Sequence, residues 1–183
     1  MSTTAITLGS EVVVSDPCYS IPTWCQTILK GVLPGRYIAQ VNEDPETSRV
    51  AQLILIHVDH LNRPLEFEEH STCGVDSGQL GIFDASSYRD DAAVARMTVP
   101  DGEFLLSHSH RDEGDQWYEA MCKFTLFTPE QFGSYDTGVV TSSGYGDGIY
   151  PLEISRDSND NIVAMQVTYI FEDDEEDEDE YED

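Results

Sequence analysis

Short extended segments broken by Gly, Pro, Asn and Asp dominate this chain. Successive side chains of a strand point to opposite faces, so the order of apolar and polar positions says which faces each segment buries. Residues 5–8 (Ala-Ile-Thr-Leu) and 11–14 (Glu-Val-Val-Val) are expected as two strands of a hairpin that turns near Gly9-Ser10. Residues 36–41 form another strand after the turn at Pro34-Gly35. Residues 50–58 read Val-Ala-Gln-Leu-Ile-Leu-Ile-His-Val, which predicts a central strand buried on both faces. Residues 65–69 are a more polar strand suited to pair with it. Residues 137–142, 149–155 and 162–171 are strands too, the last two a hairpin through Asp157-Ser158-Asn159-Asp160-Asn161.

Helical signals are fewer. Thr23-Trp24-Cys25-Gln26 matches a capping box with Gly31 as a stop, so residues 24–30 are expected as a short helix. Residues 85–96 suit a helical turn or two, residues 115–123 a better helix, and 124–127 are ambiguous. Strands outnumber helices and do not alternate with them, which argues against a doubly wound parallel sheet. The expected architecture is a β-rich α+β domain over residues 1–171. It is a twisted antiparallel sheet or sandwich with two or three short helices, followed by a disordered acidic tail, residues 172–183.

Composition sharpens this. A length of 183 suits one domain, and 39% hydrophobic residues with 10% aromatics exceed what a disordered chain carries. The 36 acidic residues against 9 basic ones give a formal net charge of −27. Eleven acids lie in the tail: Glu172, Asp173, Asp174, Glu175, Glu176, Asp177, Glu178, Asp179, Glu180, Glu182 and Asp183. Removing them leaves 25 acidic against 9 basic residues, a net of −16 on the body. The tail is either a solubility appendage or an electrostatic arm through which those eleven residues engage a basic partner. Direct nucleic-acid binding is excluded in its conventional form, because it needs Lys and Arg to neutralise phosphates and the lysines here are Lys30 and Lys123.

No apolar run approaches the roughly 20 residues of a membrane helix. The opening Met-Ser-Thr-Thr-Ala-Ile has neither the basic nor the apolar region of a signal peptide, so no membrane partner and a cytoplasmic location are expected. Cys18, Cys25, Cys73 and Cys122 are then thiols, and the gap between the first two is too long for a zinc knuckle. A nucleophilic role for Cys18 or Cys25 with a distant His stays open. His108-Ser109-His110-Arg111-Asp112 begins a metallohydrolase-like pattern, but Glu113 stands where its next His belongs.

Three loops are rich in Gly and Asp: Ser15-Asp16-Pro17-Cys18-Tyr19, residues 74–84, and Ser142-Ser143-Gly144-Tyr145-Gly146-Asp147-Gly148. Each Asp there is either a turn residue bonding nearby amides or a ligand. In the second case Asp16, Asp76, Asp84 and Asp147 converge on a hard cation, Mg or Ca, although no cofactor is otherwise expected. The set Ser-Asp-Pro-Cys-Tyr, Thr-Trp-Cys-Gln, Gly-Val-Asp-Ser-Gly-Gln and Ser-Ser-Gly-Tyr-Gly-Asp-Gly resembles a family of small uncharacterised bacterial and phage proteins. The last motif is also similar to one in a domain of unknown function. The resemblance spans roughly residues 12 to 170 and carries no activity. It implies a cytosolic, phage-encoded protein with the tail outside the shared pattern.

No complete catalytic signature occurs, so an enzyme is not the leading expectation. That expectation is an acidic binding protein that engages and inhibits a basic host protein, one that binds nucleic acid or serves in defence, by imitating DNA. A divalent-metal hydrolase or small-ligand binder built on the Asp/Gly loops is the alternative. A virion or assembly component is the third.

Overall fold

The computed structural model describes residues 1–104 and 112–171. The tail residues 172–183, and His108 and His110 of the metallohydrolase-like pattern, lie outside the described residues.

Among the described residues, eleven strands form two antiparallel sheets. The six-stranded sheet contains β1 (Ser2–Leu8), β4 (Gly35–Glu43), β5 (Val50–His57), β6 (Glu68–Val75), β10 (Gly148–Arg156) and β11 (Ile162–Thr168), in the order β1-β4-β5-β11-β10-β6. The five-stranded sheet contains β2 (Glu11–Ser15), β3 (Thr27–Lys30), β7 (Gln79–Asp84), β8 (Phe132–Tyr135) and β9 (Gly138–Ser142), in the order β3-β2-β7-β9-β8. Their facing sides enclose the main core, including Leu8, Tyr37, Leu53, Leu55, Ile82, Val139, Leu152 and Val167. The two sheets also meet along both sides. Gly74 N donates to Cys25 O at 3.0 Å and Thr27 Oγ1 meets Ser71 Oγ at 2.6 Å. Across the molecule Thr4 Oγ1 meets Ser134 Oγ at 2.8 Å, and Thr7 N donates to Asp136 O. Edge strands of the two sheets thereby cover one another.

A third layer lies on the outer face of the smaller sheet. Helix α1 (Asp115–Leu126) carries Trp117, Ala120, Met121 and Phe124 at helical spacing, and these pack with Val13, Phe83, Val140 and Tyr135. Gly114 at its N-cap has no side chain, and Asp91 substitutes from a distance, accepting from Gly114 N (3.1 Å) and Trp117 N (2.9 Å). Asp91 itself opens the 3-10 turn Asp91–Arg96, within the stretch expected to coil.

A single β-rich domain, the hairpin of β10 and β11, and the 115–123 helix agree with the sequence reading, and the helix runs on to Leu126. Several expectations are corrected. β1 and β2 are not a hairpin: the connection at Gly9-Ser10 crosses between sheets, β1 pairing with β4 and β2 with β3 and β7. Residues 24–30 are not a helix. The capping-box contact does form, Gln26 Oε1 accepting from Thr23 N at 2.8 Å, but it closes a turn, and Thr27–Lys30 then pairs with β2. Strand β5 is interior to its sheet yet buried on one side, with Ile54 and Ile56 half-buried outside. Its partners are β4 and β11, while the segment after residue 65 pairs with β10 as β6. The strand buried along its whole length is β7, because it lies between the large sheet and α1.

Candidate functional site

The three Asp/Gly loops meet at one end of the sandwich, and Asp16 organises them. The chain leaves β2 at Ser15 and at once buries the Asp16 side chain completely. Its Oδ1 accepts from Cys18 N at 2.8 Å and Ser77 Oγ at 2.6 Å. Its Oδ2 accepts from Asp76 N at 2.8 Å and Ser77 N at 2.7 Å. One carboxylate thus ties the exit of β2, in one sheet, to the turn that carries the chain from β6 in the other sheet to β7. Asp76 next receives the Tyr19 hydroxyl proton donor, and Asp147 Oδ1 accepts from Gly78 N at 3.1 Å, bringing in the third loop. That loop turns through Gly144 and Gly146 at φ of +59° and +114°, values that favour glycine, and Tyr150 pins it by donating to Gly146 O at 2.7 Å.

Side chains that carried no signal on their own complete the arrangement. Gln26 donates to Ser15 Oγ at 2.9 Å, and the Tyr88 hydroxyl donates to Tyr19 O at 2.6 Å. Arg89 donates to Pro17 O at 2.9 Å and lies 3.6 Å from Asp115, linking the loop to α1. Gln26 was legible as the last residue of the Thr-x-x-Gln box. Ser77 lies in the Gly-Val-Asp-Ser-Gly-Gln motif, but nothing in the linear sequence names its partner or marks Tyr88 or Arg89, since each acts across more than 60 residues.

Of the four Asp residues expected to converge, the structure brings Asp16, Asp76 and Asp147 to this end and places Asp84 elsewhere. Asp84 closes β7 five residues beyond Gln79, about 16 Å at the rise of a strand. There it accepts from Gly9 N at 2.5 Å and Ser86 N at 3.0 Å. The cation reading is also weakened by Asp16 itself, whose two oxygens already face four donors. Among the described residues no group of three or more His, Cys, Asp or Glu is arranged to hold a metal ion.

Three of the four thiols are held protonated in this setting. Burial first, and then the Asp16 charge, hold the Cys18 thiol far above its ordinary range. Burial pushes Cys73 up to about 11 and raises Cys122 as well. These three are thiols and not thiolates at neutral pH, so the arrangement offers no activated nucleophile at Cys18. His57 is a packed core group, edge-on to Tyr37 at 5.1 Å, with Nδ1 accepting from Asp59 N at 3.2 Å.

Residues 13–167 match the model of the family described as protein of unknown function (DUF4241). The chain belongs to that family. No curated protein and no solved structure matches it. All four sequence motifs lie inside the matched residues, and residues 168–183 lie outside them. Among the described residues, no helix is long and apolar enough to cross a membrane.

Proposed function

We propose that this protein binds a basic host protein and inhibits it by occupying a surface made for nucleic acid. One observation carries the reading. The described residues hold 25 acids and eight cations, and four of those cations, Arg89, Arg96, Lys123 and Arg156, already face carboxylates of the same chain. Half of the cations are therefore used internally, and the excess of acid faces solvent. A field of that sign steers a basic partner at long range and is screened beyond a Debye length of about 8 Å at physiological salt. The tail adds eleven acids in twelve residues, a charge density comparable with a nucleic-acid backbone. A phage-encoded inhibitor of a host or defence factor is the biological setting that suits these features.

The test is capture from host lysate on the immobilised full chain at low and at high salt, followed by competition with duplex DNA. A basic partner retained at low salt, lost at about 0.5 M salt and displaced by DNA supports the reading. No partner at low salt, or retention indifferent to both salt and DNA, overturns it.

A further inference from the structure

We propose that the basic partner docks on the loop end of the sandwich, with Trp24 as its aromatic anchor. The occupant is an extended segment in which arginines or lysines alternate with apolar residues. This rests on the reading that the partner is basic.

Large apolar side chains that a monomer would ordinarily bury stand out at this end. Trp24 is 89% exposed, Tyr145 67%, Ile149 67% and Phe171 60%. Their neighbours place them in two pairs. Gly74 separates Cys25, next to Trp24, from Ile149: a Cβ on Gly74 would lie 2.9 Å from Cys25 Cβ, and Ile149 is its partner across the ladder. Tyr145 lies between Gly144 and Gly146, and a Cβ on Gly144 would lie 3.0 Å from Ile170, which precedes Phe171. Exposed aromatics on ordered loops are the commonest anchors of protein interfaces.

Charge selects the occupant. Asp147 lies between Tyr145 and Ile149 in the chain, Asp76 accepts from the Tyr19 hydroxyl, and among the described residues no cation pairs with either. Arg49 is engaged with Gly144 O at 3.1 Å and lies over the Tyr145 ring at 5.2 Å, while Arg89 is turned to Asp115. Arg49 on Tyr145 is the contact a partner's arginine would make on Trp24, whose ring no cation covers among the described residues. Acids and aromatics together fit cationic head groups with apolar stems or neighbours, and disfavour a second copy of this acidic chain.

The probe is an eight-residue peptide alternating arginine and leucine, against a control alternating glutamate and leucine, at about 50 mM and about 500 mM salt. Trp117 is fully buried, so acrylamide quenching of tryptophan emission in the full chain reports Trp24. The cationic peptide is expected to bind at low salt and to protect Trp24 from quenching. Trp24→Ala should weaken binding about tenfold. Asp76→Asn and Asp147→Asn keep an acceptor for Tyr19 and for Gly78 N, and each should weaken it about threefold. Leu61→Ala, exposed beyond the far end of β5, should change nothing. Tight binding that leaves Trp24 quenchable and all variants unaffected overturns this inference while the basic-partner reading survives. Binding no better than that of the acidic control overturns that reading and this inference with it. A dimer that Trp24→Ala dissociates assigns the surface to a second copy and also overturns it.

Discussion

Replacing Asp16 probes the centre of the loop arrangement most directly. The carboxylate is fully buried and faces four donors, three of them the backbone amides of Cys18, Asp76 and Ser77. A buried donor left without an acceptor costs ~1–3 kcal/mol, and hydrogen bonds to a charged group are worth ~1.5–3 kcal/mol each. The four share one group and do not add. Water entering the space left by Asp16→Ala recovers part of the loss. The net expectation is a destabilisation of about 3–5 kcal/mol, a large share of the ~5–15 kcal/mol of a typical domain. Asp16→Asn has the same shape but presents an NH2 to one pair of donors. It should therefore cost about 2–4 kcal/mol despite being isosteric. Urea unfolding followed by emission of the buried Trp117 measures both variants. The loss should be the same with excess EDTA and with added Mg or Ca, because the clamp needs no ion. If Asp16→Asn unfolds within about 0.5 kcal/mol of the parent, or loses stability only when a divalent ion is present, the clamp reasoning is wrong.

Three further outcomes are expected. Burial holds the Cys73 thiol at about 11 against an ordinary 9.0, so the folded state keeps its proton where the unfolded chain has lost it. This stabilisation is intact below pH 9 and is lost as pH rises through 11, by about 2–3 kcal/mol at ~1.4 kcal/mol per unit. Cys73→Ala should lessen the fall of the urea midpoint over that window, the other buried thiols keeping the rest, and an unchanged slope would count against it. Gly81→Ala places a Cβ 2.2 Å from Phe83 Cζ and 2.5 Å from Val139 O, so it should cost about 2–3 kcal/mol and lower the melting temperature by roughly 5–10 °C. A melting temperature within roughly 1 °C of the parent would refute the packing. Cys18 is partly exposed, yet it should react with iodoacetamide at neutral pH at least about tenfold more slowly than a free thiol, and reaction at the free rate would refute the local electrostatics.

The large sheet was far more legible in the sequence than the small one. Ile6 and Leu8 in β1, Tyr37, Ala39 and Val41 in β4, and Leu152 and Ile154 in β10 alternate with polar or exposed positions, because one side of that sheet faces outward. In the small sheet α1 covers the other side, so β7 is apolar on both faces and opens with the glycine-rich run that reads as a loop. β3 was hidden by a capping box whose side-chain bond forms equally well in a turn. At the site, the Asp/Gly motifs marked the loops correctly, but the role of each Asp was not readable. Asp16 and Asp84 look alike in sequence, and the length of β7 sends them to opposite ends of a strand.

The charge, the single β-rich domain, the strand-forming segments and the loops worth inspecting follow from the sequence alone, since each rests on composition or on periodicity within a few residues. Which sheet a strand joins, whether neighbours in sequence pair, and which carboxylate meets which amide were decided by the tertiary structure. A period of two says that a segment is extended and which side is apolar, but it names no partner. Antiparallel pairing is set by contacts between distant segments, and here those contacts divide β1 from β2 and bring Asp16 to Ser77.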